Sequence, residues 1–212
     1  MPEFPRHAFQ RQDAAADGQF YRAPRFVTHI DNTAIRAVTA YYRTYFPPGA
    51  ALLDLMSSWV SHLPDDVRYD RVVGLGLNAA ELAANPRLTD SVVHDLNQHP
   101  TLPFGTAEFD GAAICVSVQY LTQPVAVFRE IGRVVRAGGP LVVTFSNRCF
   151  PTKAVSLWHA LDDAGHMRLV QQYFTEAGNW GDSESYGPRT RSHVDPLFAV
   201  IGRSRGEHHA GG

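Results

Sequence analysis

Between residues 50 and 147 the chain lays out four short apolar runs, each ending in a small polar cluster. They are Ala51-Leu52-Leu53 into Asp54, Arg71-Val72-Val73 into Gly74-Leu75-Gly76, Ser91-Val92-Val93-His94 into Asp95, and Ala113-Ile114-Cys115-Val116 into Ser117. A fifth run, Leu141-Val142-Val143-Thr144-Phe145, follows a helix-like stretch closed by Gly138-Gly139-Pro140. Runs rich in β-branched residues, alternating with helical segments, describe an α/β fold: a mostly parallel central sheet with helices on both faces. Such sheets bind ligands at the carboxyl ends of their strands, which is where the polar residues of this sequence collect.

The 212 residues suffice for one domain with a sizeable core, and 44% hydrophobic against 19% charged residues is ordinary for a globular protein. A net charge of −2 gives no reason to expect nucleic acid or an anionic membrane as partner. The amino terminus lacks an apolar stretch long enough for a signal peptide, and no later segment could span a bilayer. Cys115 and Cys149 form no disulfide or metal pattern and read as reduced packing residues of a cytoplasmic protein.

Residues 1–18 read as a flexible arm, 19–204 as the domain with a helical lid over 19–48, and 205–212 as a disordered tail. Within that tail His208-His209 reads as solvated, because nothing nearby completes a metal-ligand set. The spacing of Ile35, Val38, Tyr42 and Phe46 predicts a helix over 31–46, with Asp31 as N-cap and Pro47-Pro48-Gly49 as stop. A second helix starts at Asn78, which has the spacing of a capping box with Glu81, and Asn85-Pro86 ends it. A third, over 124–135, presents Val125, Phe128, Ile131 and Val135 on one face. Helices over 153–161 and 167–177 and a final strand over 197–201 complete the expected order.

The strand ends at Asp54, Gly74-Leu75-Gly76 and His94-Asp95-Leu96 are followed by Leu102-Pro103-Phe104, Phe109-Asp110-Gly111 and Phe128-Arg129-Glu130-Ile131-Gly132-Arg133. In that order they resemble the class I S-adenosylmethionine-dependent methyltransferases, over roughly residues 50–147. More narrowly, Ser57-Ser58-Trp59-Val60-Ser61-His62 and Val118-Gln119-Tyr120-Leu121 resemble a branch of methyltransferase-like proteins of plants and bacteria. The resemblance implies a Rossmann-like fold, S-adenosylmethionine as cofactor, and a cofactor site spread over the strand ends, beginning with Asp54.

That family has a glycine-rich turn after the first strand, where this chain has Ser57-Ser58-Trp59. The serines either approach the cofactor and offer hydroxyls, or turn the chain and cap the next helix; Trp59 packs beneath the loop or covers a ligand. The family's ribose-binding carboxylate falls on Gly76, beside Leu77. Either Asn78 or Glu81 substitutes for it, or the two cap their helix reciprocally. Asp95-Leu96-Asn97 matches the family's adenine site, with a core or capping role for Asp95 as the alternative. Ser117-Val118-Gln119-Tyr120 corresponds to the wall beside the sulfonium, where ring faces and amide oxygens can enclose a cation; Tyr120 is otherwise a packing residue.

Substrate contacts in the superfamily come from the amino-terminal helix and from the region after the fifth strand, which here hold Tyr21, Arg25 and His29, then Asn147, Arg148 and Trp158. The run over 20–31 is too aromatic and basic for an idle linker. It forms either a lid, with Arg25 holding a carboxylate in a two-pronged contact, or an arm packed on the domain's own surface. His62 and His29 are candidate bases because imidazole titrates near neutrality, His62 being otherwise structural, and Tyr120 is a third candidate catalytic group. The chain has no dinucleotide fingerprint, phosphate loop, nucleophile elbow, zinc spacing or basic stripe, so no metal is expected and the partner is a small molecule. The expected activity is methylation of that small molecule by a monomer or homodimer. The alternatives are the same fold repurposed for cyclisation or elimination, and a non-catalytic binding protein.

Overall fold

In the computed structural model, which describes residues 4–5, 7–188 and 195–206, the apolar runs form five parallel strands. These are β1 (Ala51–Leu55), β2 (Arg71–Gly76), β3 (Asp90–Val93), β4 (Gly111–Cys115) and β5 (Pro140–Phe145). Two more, β6 (Glu184–Tyr186) and β7 (Phe198–Arg203), extend one edge; β7 lies antiparallel between β5 and β6, giving the order 3-2-1-4-5-7-6. The helices are α1 (Asp17–Phe20), α2 (Asn32–Tyr45), α3 (Ala79–Ala84), α4 (Pro124–Val134), α5 (Ser156–His159) and α6 (Asp163–Ala177).

Side chains alternate between the two faces of a strand. Leu53 and Leu55 of β1, Val73 and Leu75 of β2, and Leu141, Val143 and Phe145 of β5 therefore share one face, where they pack with Val127, Phe128 and Ile131 of α4 and Val170 and Phe174 of α6. Leu52, Val72 and Val142 take the other face, against Ala34, Val38 and Tyr42 of α2. Double coverage explains why the strands read as continuous apolar runs rather than alternating ones. The Rossmann-like, mostly parallel sheet expected from the sequence is the one observed.

Several local expectations change. Asp31 does cap α2, accepting the Thr33 and Ala34 amides at 2.8 and 2.9 Å, but α2 is no part of a lid. Its apolar stripe is used up in covering the sheet, and only residues 20–30 lie over the strand ends. Helix α5 has four residues rather than the nine expected over 153–161, because the chain turns through 150–155 to bury Lys153. Helix α6 starts at Asp163 rather than at 167, since the Asp162 carboxylate accepts the Gly165 amide. Strand β6, mostly exposed at the sheet edge, has no alternating pattern to announce it. At the carboxyl end Arg205 donates its backbone amide to the Asn179 carbonyl at 2.9 Å; His208 and His209 lie outside the described residues.

The largest departure concerns the arm before residue 19, which packs onto the domain. The Gln10 and Ala8 carbonyls accept the Ser156 and Leu157 amides at 2.8 and 2.9 Å. Asp17, only 4% exposed, takes two hydrogen bonds from Arg11 at 2.8 Å and one from Asn97 at 2.8 Å. Lys153, completely buried, places its ammonium 3.2 Å from Asp17 and 3.1 Å from Asp13, and donates to the Ala15 carbonyl at 2.8 Å. Burial pushes the Asp17 carboxyl up, but Arg11, Asn97 and Lys153 outweigh it and hold the group below its usual range. Asp17→Ala leaves a guanidinium and an ammonium without their shared carboxylate. Urea denaturation at pH 7 is expected to register a loss of about 3–5 kcal/mol, the cost of breaking a buried ion pair from one side; a loss within experimental error would show that the arm is dispensable.

Candidate active site

A cavity of about 330 Å³ opens at the carboxyl ends of β1, β2, β3 and β4, roofed by residues 21–30 and flanked by 148–150. Its size suits a small ligand, since such pockets run from about 300 to 1,000 Å³. Three non-glycine residues of the lining have positive φ, Met56 after β1 (φ 54°), His62 at the end of the same loop (φ 55°) and Val116 after β4 (φ 49°). For a β-branched valine this is a strained conformation, held only because β4 and the segment after it fix both sides.

Side chains brace the loop after β1, which has no glycine. Ser57 and Ser61 both donate to Asp54 Oδ2 at 2.7 Å, and Asn85 donates to Ser61 and to the Ser58 carbonyl at 2.9 Å each. Burial pushes the Asp54 carboxyl up to about 6, against the pull of the two serine hydroxyls. Trp59 neither plugs the cavity nor sits beneath the loop; its indole N–H donates to the Val27 carbonyl at 3.1 Å and its ring meets Phe26 edge-on. Gly76 is glycine for a packing reason, because a Cβ there would stand 2.3 Å from the Ser57 carbonyl oxygen. No carboxylate can be carried at that position while the loop keeps this course.

Asn78 and Glu81 both line the cavity, and of the reciprocal cap only the Asn78 half forms. Asn78 Oδ1 caps α3 through the Ala80 and Glu81 amides, while its Nδ2 donates to the Tyr21 and Arg22 carbonyls. Glu81 does not reach back to Asn78. One oxygen accepts the Arg25 backbone amide at 2.7 Å and the other the Ser58 hydroxyl at 2.6 Å. Together these two residues tie the roof to α3 and to the β1 loop. Leu77, Asp95, Leu96 and Asn97 line the cavity as expected. Asp95 accepts from the Asn97 amide at 2.9 Å and from the Gln98 side chain at 2.8 Å. Asn97 is a structural joint, bonded to Asp17, to the Tyr120 carbonyl and to Thr122.

At the end of β4, Ser117 lines the cavity with a buried Oγ that has no partner. Tyr120 is also in the wall; its phenol oxygen accepts the Phe150 amide at 2.8 Å, and burial pushes its pKa up to about 12, which disfavours it as a proton carrier. Val118 and Gln119 are corrections, since both face inward. Gln119 is fully buried, donates to the Val116 carbonyl at 3.1 Å, and does not reach the cavity. Trp158 is another, stacked on His166 with ring centres 4.0 Å apart and edge-on to Phe145 in the core. Asn147 is exposed and outside the cavity wall. Arg148 is in the wall, paired with Asp195 at 2.7 Å. Tyr21, Arg25, His29 and His62 all line the cavity. Burial lowers the pKa of both histidines, helped at His29 by the charge of Arg25, so both rings are neutral at pH 7. Sequence reasoning missed Asp17, Cys115 and Cys149 in the lining; only the placement of the two cysteines just inside and beyond strand ends hinted at it.

Fold and site together define a strand-end cleft in an α/β sheet whose last strand is antiparallel. Residues 57–143 match the family model described as a methyltransferase domain. The strand order is that of the class I methyltransferase fold, and the stretch that matches the family model runs from the loop after β1 to β5. Among curated proteins none matches it. Among solved structures it is similar to the cyclase SpnF, at 17% identity and a TM-score of 0.63, covering 90% of this chain and 96% of that one. It is also similar to an S-adenosylmethionine-dependent methyltransferase from Mesorhizobium loti (15% identity, TM-score 0.52, covering 77% and 96%) and to one from Thermotoga maritima (13%, 0.55, covering 82% and 92%). At these identities the likeness is one of fold. No helix among the described residues is long and apolar enough to cross a membrane, and no group of three or more metal-ligating side chains occurs among them.

Two outcomes test the loop. Gly76→Ala forces the Ser57 carbonyl aside and is expected to cost about 1–3 kcal/mol in denaturant unfolding; an unchanged midpoint would show that the loop yields freely. Asp54 holds its proton more tightly folded than unfolded, so its contribution is most favourable below the ordinary value of 3.8 and is lost as pH rises to about 6. Asp54→Asn, which keeps an oxygen for both serines, should therefore gain up to about 3 kcal/mol relative to the parent between pH 4 and pH 7. A parallel pH dependence in the two proteins would contradict it.

Proposed function

We propose that this protein transfers a methyl group from S-adenosylmethionine to a small molecule. The observation that carries the reading is one cavity into which four parallel strand ends deliver Ser57, Asn78, Asp95 and Ser117, residues far apart in sequence. The unpartnered, buried Ser117 Oγ and the half-buried Asp95 carboxylate suit a ligand with amine and hydroxyl groups. Asp95 and Leu96 would hold the adenine end, Asn78 and Glu81 would stand beside the ribose while bracing the roof, and Ser57, Ser58 and the backbone around Met56 would hold the amino-acid end. When bound, the cofactor supplies an electrophilic methyl group on a sulfonium.

The remaining work falls to the chain's own residues. The roof over 21–30, tied down by Asn78, Glu81 and Trp59, excludes water and aligns the acceptor. A ring nitrogen of His62 or His29, both neutral at pH 7, can take the acceptor's proton. Calorimetry with S-adenosylmethionine and its demethylated product, followed by mass spectrometry of candidate acceptors, tests the reading. Binding at micromolar to millimolar concentration and a product heavier by one methylene unit are expected, and no binding at millimolar cofactor defeats it. If a histidine is the base, activity falls on the acid side of its ordinary value of 6.5 or lower and levels off above; a pH-independent rate there would remove the histidines from the mechanism.

A second reading, cyclisation or elimination on the same core, is favoured by Gly76, whose packing leaves no carboxylate at the end of β2. The similarity to a cyclase is consistent with it but concerns fold alone. A product isomeric with its substrate, or lighter by a leaving group, would distinguish it from methylation.

A further inference from the structure

Arg25 sits in the cavity roof with its guanidinium 4.6 Å from the centre of the Phe20 ring and 5.4 Å from those of Tyr21 and Phe150. Its Nη2 donates to the Phe20 carbonyl at 2.9 Å, and its backbone amide is taken by Glu81. Nη1 is buried and has no partner, and among the described residues no carboxylate pairs with the guanidinium. Arg87 also has a buried unpartnered nitrogen and an aromatic face but lies outside the cavity lining, so Arg25 is the case that faces a ligand site. Arg11 and Lys153 share Asp17, and Arg148, the other cation of the cavity wall, has Asp195. A half-buried cation without a counter-charge is costly, and rings alone return only part of the lost hydration.

We infer that Arg25 is the anchor for a carboxylate on the acceptor molecule, whose planar body lies among Tyr21, His29, Tyr120 and Phe150. The inference rests on the proposed methyltransferase reading and adds the substrate class, a small planar carboxylic acid. The contact is made through Nη1 after a small shift of the roof, not through both terminal nitrogens, because the Phe20 carbonyl already holds Nη2. His29, with its ring 5.2 Å from Phe150 and neutral beside Arg25, adds no second positive charge and leaves the guanidinium as the single anchor. Placing the anchor in the roof also couples binding to closure, since Glu81 and Asn78 hold the same segment down. The cofactor's own carboxylate is the other source of the same chemistry, and the test separates the two.

Ligand-observed NMR on the full chain compares benzoate with benzamide and hydroxybenzoate with hydroxybenzamide, with and without saturating S-adenosylhomocysteine. Each acid is expected to bind about tenfold or more tighter than its amide, the difference a charge-assisted hydrogen bond supplies. The gap should close in Arg25→Met, which keeps an apolar stem among the rings, and persist in part in Arg25→Lys, which keeps the charge. Equal binding of acid and amide by the parent protein overturns the inference, as does a gap that survives in Arg25→Met. Should the methionine variant fail to fold, loss of the gap in Arg25→Gln decides in the same way. If Arg25→Met weakens S-adenosylhomocysteine while leaving its decarboxylated analogue unaffected, the guanidinium serves the cofactor, and the acceptor assignment is overturned. Failure of the methyltransferase reading has a different signature: no cofactor binding, with the acid–amide gap intact.

Discussion

The carboxylate of Asp17 is the joint on which the shape of the cleft depends. It draws Arg11 and Lys153 into the interior and accepts a further bond from Asn97, so three separate stretches of chain meet at one buried charge. Asn97 in turn fixes the Tyr120 carbonyl and Thr122, and Tyr120 fixes Phe150. This hydrogen-bonded chain runs along one side of the cavity from the segment after β3 to the segment after β5. Charges buried this deeply are tolerated only when fully paired, and that requirement gives the arm one defined position.

The opposite side is held by a different device. Where a glycine-rich turn would let the backbone approach a ligand freely, this chain uses Ser57, Ser58 and Ser61, each of whose hydroxyls is donated to a carboxylate, Asp54 or Glu81. The positive φ at Met56 is sustained by these bonds and by the sheet beneath. The loop's course also explains Gly76, since the Ser57 carbonyl occupies the space a side chain would need. The missing carboxylate at the end of β2 is therefore a consequence of the serine loop, and the two departures from the family pattern have one cause.

Much of the cavity lining is legible in the sequence. Asp54, Ser57, Asn78, Asp95 and Ser117 line one cavity because strand ends in a parallel sheet converge, and strand ends can be read from where apolar runs stop. Gln119 and Trp158 misled for a local reason. A 3₁₀ turn over Val118–Tyr120 rotates Gln119 inward while leaving Tyr120 in the wall, and Trp158 finds a stacking partner in His166 from the next helix. Neither rotation leaves a mark in residue type or spacing.

The sequence alone determined the order of the five parallel strands and the main helices, the double coverage of the sheet and the edge at which the cavity opens, because these follow from hydrophobic periodicity, from helix caps such as Asp31 and Asn78 and from stops such as Gly138. Only the tertiary structure decided which polar groups are used up in holding the protein together and which remain for a ligand. Glu81 and Asn97 turned out to be braces, while Ser117 Oγ and Arg25 Nη1 kept unmet bonding capacity. Satisfaction of a hydrogen bond depends on distances between segments tens of residues apart, and no local pattern encodes those distances.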